Sequence, residues 1–236
     1  LGVLYFGKKL LEQFNLPTNR IYWYILNTLV IIELTANLHF EGVMVFFLAW
    51  SLYLLRKNKW ILSAVVFAAS VLLKIIPLLF LPLLLRYFWR SKNRPQALGL
   101  LRLLGFYSIV GVVVIAGFLP FLSGEFINNF AASISLWFQK FEFNASIYYL
   151  VRWVGYQVKG YNIIASAGKW LPVIIILILA SFALLRKNNS LQQLICSMLF
   201  GIAAYFFLST TVHPWYLITP NVFITIDLDA FDPSIM

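Results

Sequence analysis

The feature that most constrains this chain is a series of long apolar runs, each closed by a short cluster of lysines and arginines. A helix needs about twenty apolar residues to cross the hydrocarbon of a bilayer. Five spans are expected on that basis: Ile21 to about Leu38, Val43 to Leu55, Leu104 to Leu122, Leu171 to Leu185, and Leu191 to about Thr211. A sixth run, Trp60 to Leu85, is interrupted by Lys74-Ile-Ile-Pro77 and again by Pro82. With 62% hydrophobic and only 11% charged residues, the composition excludes an ordinary soluble domain, where about a quarter of residues are charged. The expected fold class is an all-α polytopic membrane protein, with about five spans and a re-entrant or broken helix pair. A multi-pass protein of the bacterial inner membrane is the expected location.

The basic clusters set the topology. They are Lys8/Lys9/Arg20, Arg56/Lys57/Lys59, Arg86/Arg90/Lys92/Arg94/Arg102 and Arg186/Lys187. If Trp60 to Leu85 crossed once, the second and third clusters would face opposite sides, against the positive-inside tendency. If that run is instead a re-entrant pair of half-helices turning near Lys74 and Pro77, all four clusters share the cytoplasmic face. Irregular backbone at that depth is tolerated where protein or a water-filled cavity covers it. The net charge of +10 does not point to nucleic acid, because no basic stretch is long enough to track a phosphate backbone. Cys196 is the sole cysteine, so no intrachain disulfide forms, and inside an apolar run it reads as a small packing residue. The chain opens on Leu1 without a signal peptide and is expected to be cut at its start.

That topology brings three segments to the outer face: Asn37-Leu-His-Phe-Glu-Gly42, the stretch from Ser123 to Lys169, and Thr211-Val-His-Pro-Trp-Tyr216. The middle stretch mixes Trp137, Phe138, Phe141, Phe143, Tyr148, Tyr149, Trp153 and Tyr156 with Lys140, Glu142 and Arg152, a pattern suited to helices lying at the headgroups. Within it, Asn144-Ala-Ser146 has the form of a glycosylation sequon.

Ionisable groups beside spans are costly to keep and mark candidate sites. His39 and Glu41 suit a phosphate, a sugar hydroxyl or proton transfer, or else form a helix-end cluster facing headgroups. Glu33 needs a partner or a proton, and Lys74 is a candidate. Lys74 on a broken helix suits an anionic lipid phosphate, since interrupted spans aim charge into cavities; a structural pair with Glu33 is the alternative. His213, with Trp215 and Tyr216, suits the face of a sugar ring, although Trp and Tyr are also ordinary belt residues there. Before residue 221 there is no metal-ligand cluster, glycine-rich phosphate loop or Ser/His/Asp set.

The order of these pieces resembles the integral-membrane glycosyltransferases of the GT-C type, in particular polyprenol-phosphate-dependent mannosyltransferase-like proteins and, more distantly, the dolichyl-phosphate-dependent enzymes. The resemblance covers roughly residues 20 to 220, and its most specific parts are His39-Phe40-Glu41-Gly42 and Lys74-x-x-Pro77. It implies transfer of a sugar, mannose, from a polyprenyl-phosphate donor to a glycan or lipid acceptor on the outer face, with inversion at the anomeric carbon. His39, Glu41, Lys74, His213, Trp215 and Tyr216 would bind donor or acceptor, and no cofactor is expected for the membrane part. In that family the base is an acidic residue of the first outer loop. Before Glu33 only Glu12 is acidic, and it falls on the cytoplasmic side, so the catalytic residue is unknown and the chain is expected to be the middle and later part of an enzyme. A transporter or lipid-linked-sugar binding protein is the alternative.

The last sixteen residues read differently. Between Glu41 and Asn221 the acidic residues are Glu125 and Glu142; Asp227, Asp229 and Asp232 then follow in quick succession. Phe223-Ile-Thr-Ile-Asp-Leu-Asp229 resembles the metal-binding signature of the ureohydrolases, the agmatinase and arginase family. It implies a buried strand begun near Pro220, with Asp227 and Asp229 as vestigial manganese ligands. Residues 221–236 are therefore expected as a separate fragment behind a membrane part of 1–220, and a ureohydrolase fragment fused to a membrane segment is a further alternative.

Overall fold

The computed structural model describes residues 1–89 and 96–226, and apart from one isolated bridge its regular structure is helical. Helix α1 (Gly2–Gln13) lays Val3, Leu10 and Leu11 into the core against α4 (Glu41–Arg56). The chain turns at Asn15, whose φ of 57° an asparagine tolerates, and climbs back through a 3₁₀ turn (Thr18–Arg20), α2 (Ile21–Ile25) and α3 (Thr28–Ile31). The expected single span from Ile21 to Leu38 is thus broken into short pieces. Asn27 causes the break: extended, it accepts a hydrogen bond from the Leu29 amide at 2.9 Å and starts a new helix where the old one ended. A π-helical turn (Ile32–Ala36) follows, and the axis bends by 112° into α4.

Helices α4 and α5 (Trp60–Leu73) form a tight hairpin. Ser51 and Ser63 cross-link them, each hydroxyl donating to the other's carbonyl at 2.9 and 2.8 Å in a buried setting. At Lys74 the backbone turns extended and α5 stops. Pro77, which has no N–H to give a helix, opens a 3₁₀ turn (Ile76–Phe80), and α6 (Leu84–Trp89) runs back. Helix α7 (Gln96–Phe118) records the reversal along its length: Gly99 faces Phe88, Gly105 faces Trp60, Tyr107 donates to the Leu81 carbonyl at 2.7 Å, and Gly117 faces Leu72. Trp60 and Phe88 therefore lie at the same end, and the run between them enters and leaves on one face. Lys74 is central in the sequence of that run but sits at the tip of the hairpin, level with the first turn of α4.

After α7 come a 3₁₀ turn (Leu119–Phe121), α8 (Gly124–Gln139), α9 (Ile147–Lys159), α10 (Ile164–Leu185) and α11 (Leu191–Leu208). Helices α8 and α9 are amphipathic, and α8 buries no side chain, as suits a helix lying along a bilayer surface. Three segments are long and apolar enough to cross a membrane, Leu98–Phe121, Ile164–Leu185 and Leu191–Leu208; a fourth is counted if the bent pair Thr28–Ala36 and Glu41–Arg56 is one span. The basic clusters converge at one end: Arg86 donates to the carbonyls of Leu185 and Arg186 at 3.0 and 2.8 Å, while Arg56 and Arg102 line one cavity.

A further 3₁₀ turn, Pro214–Leu217, leads into α12 (Ile218–Ile226). This corrects the expected strand. Phe223, Ile224 and Ile226 lie on a helix whose Ile218, Thr219, Val222, Phe223 and Ile226 are buried at three- and four-residue spacing, and Pro220 falls in its first turn, where a missing N–H costs nothing. Helical burial against α2, α4 and α11 outweighs the local alternation. Asp227 and Asp229 lie outside the described residues.

Close approach of α10 to the end of α8 depends on Gly168: a Cβ there would sit 1.9 Å from the Phe138 carbonyl oxygen. Gly168→Ala is expected to cost about 1–3 kcal/mol, read as a lowered thermal-unfolding midpoint in detergent. Gly111→Ala, whose Cβ would meet nothing within 4 Å, is expected to leave the midpoint unchanged.

Candidate functional site

All six residues singled out as substrate-binding gather at the end of the bundle opposite the basic clusters. The turn between the π-helical segment and α4 supplies the first group. Leu38 adopts φ 53°, the left-handed region that a leucine rarely enters, and this kink lets the His39 amide donate to the Glu33 carbonyl at 3.0 Å. The extra residue of a π turn re-aims its side chains, as at many functional sites. Here it buries Glu33, which accepts from Asn37 Nδ2 at 2.9 Å and lies 3.3 Å from His39 Nε2. The other ring nitrogen, Nδ1, is 4.0 Å from Glu41.

Glu41 is 2% exposed and forms an ion pair with Lys74, reaching from the start of α4 to the tip of the re-entrant hairpin. The alternative pairing of Lys74 with Glu33 is thus not the one formed. Glu33 belongs to His39 and Asn37 instead, because the π turn points it along the His39 side of the kink. The Lys74 ammonium also lies over the Tyr216 ring, 4.5 Å from its centroid, a cation–π contact.

The second group comes from the far end of the chain. Trp215 stacks with His39 at 4.0 Å between ring centroids and with His213 at 4.3 Å, nearly parallel in both cases. His213 in turn stacks with Phe143 at 4.9 Å and meets Trp137 edge-on at 5.7 Å. The outer segment is held there by backbone. Phe143 N donates to the Thr210 carbonyl at 3.0 Å and Val212 N to the Phe143 carbonyl at 2.9 Å. The hydroxyls of Thr210 and Thr211 donate to the carbonyls of Trp137 and Phe141, and Asn144 Nδ2 donates to the Val212 carbonyl at 3.3 Å. Behind this bridge, Arg152 and Asn162 hold Glu142. Burial works against the ionised Glu142 carboxyl, but the hydrogen bonds from its neighbours and the charge of Arg152 outweigh it and hold it below the usual carboxylate range.

Beside Lys74 opens a cavity of about 310 Å³ whose walls include Ile75, Ile76, Ile134, Trp137, Tyr205 and Tyr216, with Ser209, Thr210 and Thr211 along one edge. A single cation at the mouth of a largely apolar cavity is the complement of an amphiphile with an anionic head. Thr210 and the cavity-lining role of Trp137 are not legible in the sequence, where the aromatic outer stretch reads as a membrane belt; the only local signal is that Thr210 and Thr211 stand just before Val212-His213. Among the described residues no group of three or more His, Cys, Asp or Glu is placed to hold a metal ion.

The first part of the chain is similar to a known family. Residues 1–90 match the N-terminal domain model of the MptA_B family, alpha-(1->6)-mannopyranosyltransferases. The matched segment carries Glu33, His39, Glu41 and Lys74, whereas His213, Trp215 and Tyr216 lie beyond it. The segment is similar to mannose-transferring glycosyltransferases, in agreement with the multi-pass helical fold. No curated protein and no solved structure matches the chain. The ureohydrolase resemblance of the tail finds no support in these comparisons.

His213 is held below the ordinary imidazole value of 6.5, first by burial and then by the charges of Lys74 and His39. A histidine with a lowered folded-state value resists protonation, so its ring stays neutral as pH falls through 6.5 and charges only below it. In a ring-nitrogen NMR titration, Lys74→Met is expected to move the His213 midpoint upward. No movement would mean that the two groups do not sense each other.

Proposed function

We propose that this chain forms part of an integral-membrane glycosyltransferase that moves mannose from a polyprenyl-phosphate donor to a glycan or lipid acceptor at the aromatic face. The observation that carries this reading is the position of Lys74: anchored by buried Glu41, it lines a largely apolar cavity and lies over the Tyr216 ring, which follows Trp215 in the same turn. The phosphate of the donor takes the place next to Lys74, and its isoprenyl chain follows the apolar wall. The sugar then lies along the rim of the stack that His39, Trp215 and His213 form. The match of residues 1–90 to a mannosyltransferase domain supports the choice of mannose.

The chemistry asks for three things. An acceptor hydroxyl attacks the anomeric carbon and gives up its proton, the bond from that carbon to the phosphate oxygen breaks, and the phosphate departs with the electron pair and carries that proton in the net reaction. Lys74 offsets the charge gathering on that phosphate, the kind of preorganised stabilisation that strengthens as the bond breaks. The rings of His39, Trp215 and His213 position the sugar. Glu33 beside Nε2 and Trp215 stacked on the ring fix the plane of the His39 imidazole.

The test is transfer of radiolabelled mannose from polyprenyl-phosphomannose by the full-length protein in vesicles. Lys74→Met removes the cation but leaves Glu41 buried and unpaired, a cost of about 3–5 kcal/mol, so the informative variant is Lys74→Met with Glu41→Gln. That pair is expected to keep expression and unfolding midpoint near the parent while turnover falls by about 10²–10³-fold. Turnover within a few-fold of the parent would remove Lys74 from the reaction. Substrate movement across the vesicle without transfer would favour a transporter instead.

A further inference from the structure

The basic end of the bundle holds a second cavity that sugar transfer does not use. Its volume is about 410 Å³, and it forms where the ends of α1, α4 and α6 meet the beginnings of α5, α7 and α11. Arg56, from the last turn of α4, and Arg102, from the second turn of α7, both line it. Gln13, Asn15 and Gln192 add side-chain amides, and among the described residues no acidic side chain is in its walls. Neither guanidinium is ion-paired with a carboxylate among the described residues.

The composition of the lining selects the ligand. Two guanidinium forks with amide donors around them match an anion bearing several oxygens, and Arg pairs with phosphate in the same bidentate manner as with carboxylate. The space exceeds what a bare phosphate ion needs and falls within the range of small-molecule sites. Trp60 and Phe88 give one side of it an apolar wall for an organic substituent. The location adds to this, because the positive-inside tendency turns this face toward the cytoplasm. There, anionic phospholipid headgroups and phosphorylated metabolites are both within reach.

We propose that this cavity binds a phosphate ester, through Arg56 and Arg102, at the opposite end of the bundle from the sugar site. The shared chemistry is a phosphate carrying a small polyol, supplied either as a lipid headgroup or as a free ester. A ligand here would tie α4 to α7 at the open ends of the re-entrant hairpin, whose tip carries Lys74. The two sites are thereby joined through α4 and α5 without sharing a residue.

The experiment compares the full-length protein in phosphatidylcholine nanodiscs with and without phosphatidylglycerol, and in detergent with and without glycerol 3-phosphate. The readouts are the thermal-unfolding midpoint and the retention of lipid in native mass spectrometry. One or both probes are expected to raise the midpoint. Arg56→Gln and Arg102→Gln are each expected to weaken that binding by about tenfold or more, the loss of one charge-assisted bond. Arg56 is exposed, so its replacement leaves the packing intact and suffices if the Arg102 variant does not fold. Lys57→Gln with Lys59→Gln, neighbours that do not line the cavity, is expected to retain the effect. Response to phosphatidylglycerol alone assigns a lipid headgroup, and response to glycerol 3-phosphate assigns a free ester. Equal responses in the arginine and lysine variants, or no response to either probe, would overturn the proposal.

Discussion

The contact on which the site depends is the ion pair between Glu41 and Lys74. Each residue alone would be a liability in an apolar setting, since an unpaired buried charge costs several kcal/mol. Joined, they fix two irregular pieces of backbone against each other: the kinked entry to α4 and the extended break after α5. Neither break has enough local hydrogen bonding to hold its shape, because helix ends leave amides and carbonyls without partners. The pair supplies what the backbone lacks. Once Lys74 is fixed, Tyr216 is placed beneath it by a cation–π contact, and Tyr216 belongs to the same short turn as Trp215.

The stacked rings extend this order outward. His39, Trp215, His213 and Phe143 come from three parts of the chain yet form one continuous aromatic surface. Flat rings in contact need no exact register to gain dispersion energy, which suits a surface assembled from loops. The precise part is the backbone bridge between Phe143 and the 210–212 segment, and the Thr210 and Thr211 hydroxyls that fasten it. The arrangement combines a tolerant face with a rigid support.

Much of this was legible in the sequence, for reasons that can be stated residue by residue. Lys74 followed by Pro77 announced a broken helix, because proline removes a donor and a lysine in an apolar run demands a partner. The basic clusters announced a shared face. His39, Glu41, Lys74 and His213 stood out because ionisable groups are few within or beside the apolar runs, and Trp215 and Tyr216 because they follow His213 directly after Pro214. What the sequence hid was pairing and local backbone. Nothing in the spacing tells whether Lys74 meets Glu33 or Glu41; that was decided by a single π turn and by a left-handed leucine. Asn27 concealed a helix break inside a run that reads as one span. The alternation in Phe223 to Ile226 suggested a strand, and tertiary burial of the opposite periodicity overrode it.

The separation of the site's two halves along the chain has a consequence for how the protein is made. His39 and Glu41 emerge early in synthesis, while Trp215 and Tyr216 emerge after the long outer segment and α11 have been threaded into the bilayer. Until then the re-entrant hairpin has its ion pair but no aromatic floor, and the kinked turn at Leu38 has nothing to stack upon. The ring stack is therefore the last element to mature. A chain stalled before Pro214 would lack Trp215 and Tyr216 and leave the His39 ring and the Lys74 ammonium without their aromatic partners.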